Sequence, residues 1–373
     1  MLLSQETTIV LSKNDANIVG HMCYAAYKLW NVCNYERNNY KDLGLEKYPD
    51  WYYQKSKHKD DLWFKSLPSQ TAQEVCKLLD KSWKSFYCLK KSGGIENPRP
   101  PRYKKDKMPI TYMQNGIQHE KGSLSVRLSL PKKLKEYMDL TYGIRAAYLY
   151  LKNPVFSNTD MIKQIRIYPP ASEGTCRILI IYEVEDVTPV QDNGRYLSID
   201  LGLHNLMTCY DNAGRTFIVG RKYLSHTYFY DKEIARVQSQ WANIQNARGV
   251  KHPRTSNHLQ MVYQKKNNCI KDYIHKLTRY ITDYCVKNEI HTVVIGDIKG
   301  IRKENDLGRR TNQKLHSLPY ARIYMQLEYK LKMEGIRLIR QEESYSSQCP
   351  PQSEEVSVKY AEKKNRKKEA STS

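Results

Sequence analysis

Tyr196-Leu197-Ser198-Ile199-Asp200-Leu201-Gly202 is an apolar run that ends on a carboxylate with a glycine two residues on. The run predicts a buried strand, and Gly202 lets the backbone swing away so that the Asp200 carboxylate faces solvent. Alone, an Asp-x-Gly behind a strand is more often a plain turn. The downstream pattern adds weight. Leu206-Met207-Thr208-Cys209-Tyr210 follows as a hairpin arm, with Asp211-Asn212-Ala213-Gly214 as its turn. Leu259, Val262, Ile270, Ile274, Leu277, Ile281 and Tyr284 then recur on one face of a long helix predicted over about 257–287. A strand at about 291–297, a basic loop, a helix at about 319–334 and a strand at about 336–341 complete the predicted series. Strands first, then helix, strand, helix, strand, is the order of a ribonuclease H-like α/β domain.

Toward the N-terminus the pattern is different. Glu6-Thr7-Thr8-Ile9-Val10-Leu11 reads as a short strand, and a helix is predicted from about Asp15 to Tyr40. After a polar, aromatic stretch, Ser69 in Leu67-Pro68-Ser69-Gln70 is the expected N-cap of a helix. Ala72, Val75, Cys76, Leu79, Trp83 and Phe86 place that helix at about 70–90. The linker from Lys90 to Lys107 holds Gly93-Gly94, three prolines and many basic residues. From 110 to 186 the runs suit strands, as in Ser123–Leu130, Ile162–Tyr168 and Cys176–Val184, and predict a small β-barrel or sandwich. The expected fold class is α+β and multidomain: a helical region, a small β-barrel and a ribonuclease H-like α/β domain.

Composition limits the partner. The 373 residues carry 61 Lys+Arg against 39 Asp+Glu, a net charge of +22. Such an excess implies a polyanion, because Lys/Arg surfaces bind phosphate backbones by releasing counterions. Tyr numbers 30 against 5 Phe and 5 Trp, and a Tyr ring stacks on unpaired bases while keeping a polar handle. An AT-rich coding sequence explains part of that skew, but not the charge. The aromatic content of 11% and hydrophobic content of 40% exclude wholesale disorder. No apolar run is long enough for a membrane span, and the first residues carry no basic-then-apolar secretory signal. Nine cysteines, none in a Cys-x-x-Cys pair, read as buried reduced thiols. Reduced thiols make the cytoplasm the expected compartment.

With these residues in view, the chain resembles a family. Ser198-Ile199-Asp200-Leu201-Gly202, Val293-Val294-Ile295-Gly296-Asp297-Ile298-Lys299-Gly300 and Glu343-Ser344-Tyr345-Ser346-Ser347-Gln348-Cys349 are similar to the split RuvC-like nuclease of TnpB proteins. These are transposon-encoded, RNA-guided relatives of compact type V CRISPR effectors. Leu29-Trp30-Asn31, Leu67-Pro68-Ser69-Gln70 and Pro101-Arg102-Tyr103-Lys104 extend the resemblance through the N-terminal half. It implies a wedge domain from 1–12 and 109–190, a helical recognition region with its basic linker at 13–108, a RuvC-like domain at 191–345 and a disordered tail at 346–373. It also implies guide RNA as cofactor and partner, double-stranded DNA as target, Mg²⁺ at a carboxylate site, and a place at the nucleoid of a prokaryotic cytoplasm.

The chain departs from the family in two places. Most members carry a Glu after the second nuclease strand, where this chain has Asp297. Some members resemble a rearranged site with the glutamate just before the Tyr-[Ser/Thr]-Ser-Gln block, the position of Glu343. The alternative is a solvated strand end at Glu342-Glu343. Second, no Cys or His follows Cys349, so a four-ligand zinc ribbon is not expected, and no Asn-Ala-Asp segment supplies a third carboxylate. The expected catalytic set is therefore Asp200 and Glu343, with Asp297 weak or vestigial, and Mg²⁺ held by Asp200 and Glu343 if at all. Expected nucleic-acid contacts are Arg99, Arg102, Lys104, Lys105 and Lys107 in the linker, Tyr112 and Gln114, and Arg302, Lys303, Arg309, Arg310 and Lys314 in the basic loop. The expected function is RNA-guided DNA binding without efficient cleavage, acting by target occupancy as a repressor. The competing readings are an active RNA-guided endonuclease and a decayed transposon remnant.

Overall fold

The computed structural model describes residues 1–373 apart from 94, 160, 172, 251–254, 299–316 and 343–373. Two compact units divide the chain, Met1–Glu185 and Asp186–Ser373.

In the first unit, β1 (Leu2–Val10) pairs antiparallel with β7 (Thr175–Glu183), from Leu2↔Glu183 to Val10↔Thr175. β6 (Met161–Ile167) and β2 (Ile110–Met113) extend this sheet in the order β1-β7-β6-β2. A second antiparallel sheet holds β3 (Ile117–Gln118), β4 (Ser125–Ser129) and β5 (Tyr148–Lys152). The expected barrel is not closed among the described residues. A 3-10 turn at Gln114–Gly116 takes the chain out of one sheet and into the other, so β2 and β3 do not join edge to edge. One apolar core, including Ile178, Ile180, Leu128 and Leu149, nevertheless serves both sheets and the helices.

Those helices are α1 (Lys13–Asn38), α2 (Trp51–Lys57), α3 (Leu62–Lys65) and α4 (Ser69–Ser92). Ser12 caps α1, accepting the Asp15 N–H at 3.1 Å, and Asp50 caps α2, accepting from Tyr53 N at 2.8 Å. Ser69 does not cap α4: Pro68 holds the N-cap position, and Ser69 is the first helical residue. A further helix, α5 (Lys132–Tyr142), interrupts a region read as strands throughout. Pro131 stands at its N-cap and Gly143, at φ 65°, ends it, while Leu134 and Met138 share its buried face.

In the second unit, β8 (Tyr196–Asp200), β9 (Met207–Asp211) and β10 (Arg215–Val219) form an antiparallel meander. β11 (Thr292–Asp297) pairs parallel with β8 on one side and with β12 (Arg337–Glu342) on the other. The sheet order is β10-β9-β8-β11-β12. Leu197, Ile199, Val293 and Ile295 form a buried cluster with residues of α7 (Asn257–Lys287), including Ile274 and Ile281, and of α8 (Tyr320–Met333), including Ile323, Leu327 and Leu331. α6 (Tyr223–Ala247) packs on α7 through Ile234, Val237, Leu259 and Val262. The sequence reading did not anticipate α6, because only four of its residues are buried and its apolar period is correspondingly faint. Among the described residues, no helix is long and apolar enough to cross a membrane.

Candidate nucleic-acid interface and carboxylate edge

Asp200 is the last residue of β8 and is exposed. Gly202 matters for a closer reason than a free backbone angle: a Cβ there would meet the Asn205 carbonyl oxygen at 2.8 Å as the chain turns back into β9. The parallel ladder fixes which way the neighbouring carboxylates stand. Ile199 and Ile295 are register partners, and side chains alternate along a strand. Asp297, two residues beyond Ile295, shares the face of Ile199, whereas Asp200 takes the opposite one. Glu342 is the register partner of Asp297 and falls on that same face. Glu343, the residue expected to converge on Asp200, lies outside the described residues. Among the described residues, no three His, Cys, Asp or Glu side chains stand close enough to hold a metal ion.

The exit of β11 has a support that sequence reasoning missed. The Tyr324 hydroxyl, from α8, donates to Gly296 O, and the same hydroxyl oxygen accepts the Ile298 N–H at 3.3 Å. The Arg340 guanidinium sits 4.8 Å from the Tyr324 ring centroid. At the sheet's other end, Asp211 is fully buried and held by Arg195 at 3.2 Å, Tyr284 at 3.0 Å and Ala213 N at 2.9 Å. Burial works against its charge, but these donors prevail and hold its carboxyl below the usual range. Asp211 is a structural anchor of the hairpin turn.

In the first unit the linker after α4 has no regular structure at Pro98–Lys105, yet its backbone is clamped along α1. Asn34 Nδ2 donates to Pro101 O at 3.0 Å, and its amide is oriented by Trp83 Nε1, which donates to Asn34 Oδ1 at 2.9 Å. Trp30 Nε1 donates to Arg102 O at 3.2 Å. Asn31 works in both directions: its Nδ2 donates to Lys104 O at 2.9 Å, and the Lys104 N–H donates to its Oδ1 at 2.8 Å. An amide side chain thus replaces the strand partner that this proline-rich segment cannot have. Because the backbone polar groups face the helix, Arg99, Arg102, Tyr103, Lys104, Lys105 and Lys107 are all exposed. The Lys104 ammonium lies 4.6 Å from the Trp30 ring centroid.

Beside this track, a cavity of about 540 Å³ is lined by Tyr27, Lys28, Asn31, Tyr35, Lys104 and Lys105, among others, with no acidic residue. Lys28 sits over the rings of Tyr24 and Tyr27 at 5.4 and 5.2 Å. Basic groups interleaved with aromatic faces are what a single-stranded backbone with unstacked bases requires. The stripe Trp30, Asn31, Asn34 on α1 is the local sequence signature of this clamp.

Two expected contacts separate here. Gln114 is exposed, next to Asn115, Lys77 and Lys163. Tyr112 is 1% exposed, and its hydroxyl donates to Ser129 O at 3.0 Å. It serves the core, because β2 turns it inward with Ile110. Arg302, Lys303, Arg309, Arg310 and Lys314 lie outside the described residues.

Residues 179–302 match the family model OrfB_IS605, a probable transposase. This agrees with the resemblance drawn from the motifs, and the matched stretch contains Asp200 and Asp297. No curated protein sequence matches the chain. The chain is similar in fold to Cas12f1 in its complex with sgRNA and target DNA, at a TM-score of 0.57 and 14% identity, over 93% of this chain and 76% of that one. The mini RNA-guided endonuclease Cas_phi3 aligns over 96% of this chain and 88% of its own, at 9% identity and a TM-score of 0.45.

Proposed function

We propose that the chain is an RNA-guided DNA-binding protein of TnpB type that acts by occupying its target, as a transcriptional repressor. The observation that carries this reading is the clamped basic linker, which presents five cationic side chains outward along an aromatic face. On this reading residues 13–108 form the recognition region, 1–12 with 109–190 the wedge, and 191–345 the RuvC-like domain. The order β10-β9-β8-β11-β12, antiparallel and then parallel, supports a ribonuclease H-like sheet. The transposase match over 179–302 and the fold likeness to Cas12f1 support the family. Guide RNA is then the cofactor and double-stranded DNA the target, with base pairing reading sequence and the protein reading backbone and a short flanking motif.

Occupancy without efficient cleavage is favoured by the sheet register. Two metal ions about 3.5–4 Å apart need several converging carboxylates, and Asp200 stands on the opposite face from Asp297 and Glu342. A second reading, an active endonuclease, is favoured by the gathering of all three at the C-terminal edge of one parallel ladder, with Glu343 next in sequence. The Mg²⁺ ligands would then be Asp200 and Glu343; no zinc is proposed. A time course on matched duplex DNA with Mg²⁺ and the RNA-loaded protein, with Asp200→Ala, Glu343→Gln and Asp297→Asn alongside, separates the two. Binding without cuts, unchanged in all three variants, is the expected result. Guide-dependent cuts abolished by Asp200→Ala would replace the repressor with the endonuclease.

A further inference from the structure

α1 carries a glycine in its interior, where glycine weakens a helix. Gly20 is buried, yet a Cβ built on it would meet only the Lys107 ammonium, at 3.5 Å, outside its own helix. Gly20 lines a cavity of about 430 Å³ together with residues of α1, α3 and α5. Its walls include Tyr24, Trp63 and Tyr137; Lys107 and Lys133 line it, and none of its lining residues is acidic. Tyr24 and Trp63 stand edge to face at 5.7 Å, and Tyr137 packs against His21 at 5.2 Å. Trp63 also lines the neighbouring linker cavity, so a strand lying on Lys104 and Lys105 passes this opening.

We propose that this cavity receives one unstacked base of the RNA that the protein carries. Tyr24, Trp63 and Tyr137 contact the base, and the ammonium groups of Lys107 and Lys133 hold the flanking phosphates. A volume of about 430 Å³ is enough to admit a single base with its ribose. Aromatic faces accept any base, so the cavity selects for an unpaired nucleotide and not for its identity. An aromatic wall without cations would suit an apolar ligand, and cations without rings would suit phosphate alone. The inference rests on the RNA-guided reading above.

The test uses the full chain loaded with its RNA, transcribed with 4-thiouridine, irradiated and mapped by peptide mass spectrometry. Adducts are expected on the peptides of Tyr24, Trp63 or Tyr137. Gly20→Leu projects a branched side chain into the cavity beside Lys107 and obstructs it, and adduct per RNA bound should fall about tenfold, the loss of one stacked base. Its melting temperature should hold or rise, because leucine favours the helix. Tyr137→Ala, at an exposed position, should lower the yield without touching the helix interior. Stripped protein offered 4-thiouridine monophosphate alone should show no adduct there. Adducts mapping elsewhere, yields unchanged in both variants, or capture of free nucleotide in place of RNA would each overturn the inference. A wild-type protein that carries no RNA would instead overturn the reading beneath it.

Discussion

Single residues in this protein owe their roles to neighbours that local sequence does not reveal. Asp200 and Asp297 both end strands, yet one alternation in the ladder sets them on opposite faces. His58 is a sharper case. It is buried between carboxylates, with Nε2 at 3.3 Å from Glu36 and Nδ1 at 2.6 Å from Asp61, while Gln54 Nε2 donates to Glu36 at 3.0 Å. Burial lowers the His58 pKa, but the two carboxylates prevail and raise it above its ordinary value. Burial likewise pushes Glu36 up, and hydrogen bonds from His58, Lys57 and Gln54 bring it down to about 2. The signs follow. The His58 contribution is full below its unfolded pKa of about 6.5 and is lost as pH rises through the higher folded value. The Glu36 contribution is present above about pH 4.3 and is lost as pH falls toward its folded value. His58→Asn should cost roughly 2 kcal/mol at about pH 6, and the gap to wild type should narrow toward about pH 9. Thermal melts across that range check it; a gap of constant size would show that folding does not raise the His58 pKa.

Among the elements, the linker shows how an irregular segment becomes a rigid presenter. Prolines remove its donors, and Trp30, Asn31 and Asn34 on α1 satisfy its carbonyls instead. Position and charge can therefore be separated by mutation. Replacing Arg102, Lys104 and Lys105 together by Gln should weaken RNA binding and flatten the slope of log affinity against log salt by about 2, at roughly 0.7 per phosphate contact on a single strand. Asn31→Ala should weaken binding by several-fold and leave the slope alone, since every charge remains. Filter binding at several salt concentrations reads both. Equal slopes in wild type and the triple variant would remove the linker from the interface.

For the molecule entire, the net charge of +22 governs how it meets a nucleic acid. A protein that neutralises on the order of 6–10 phosphates loses about 10³-fold or more in affinity between roughly 50 and 200 mM salt. The purified chain should accordingly carry an RNA encoded beside its own gene and release it over that range. Sequencing the bound RNA at low salt and measuring its retention at high salt check this. A random cellular mixture, or retention indifferent to salt, would contradict guided binding.

Wherever periodicity ran long, the sequence was enough. The apolar stripes of α4 and α7, the hairpin turn at Asp211-Asn212-Ala213-Gly214 and the carboxylate leaving β8 at Asp200 are local features, because a helix face or a tight turn depends on residues a few positions apart. The exposed linker charges are equally local, since a proline-rich basic run has no apolar face to bury. Burial and register are different in kind. That Tyr112 points into the core, that α5 breaks a run of strands and that Asp297 turns away from Asp200 depend on pairings such as Leu2↔Glu183 and Ile199↔Ile295, far apart in the chain. A one-residue shift in register reverses every face of a strand. No local pattern carries that information, because the energy that selects one register comes from the packed core and not from the strand.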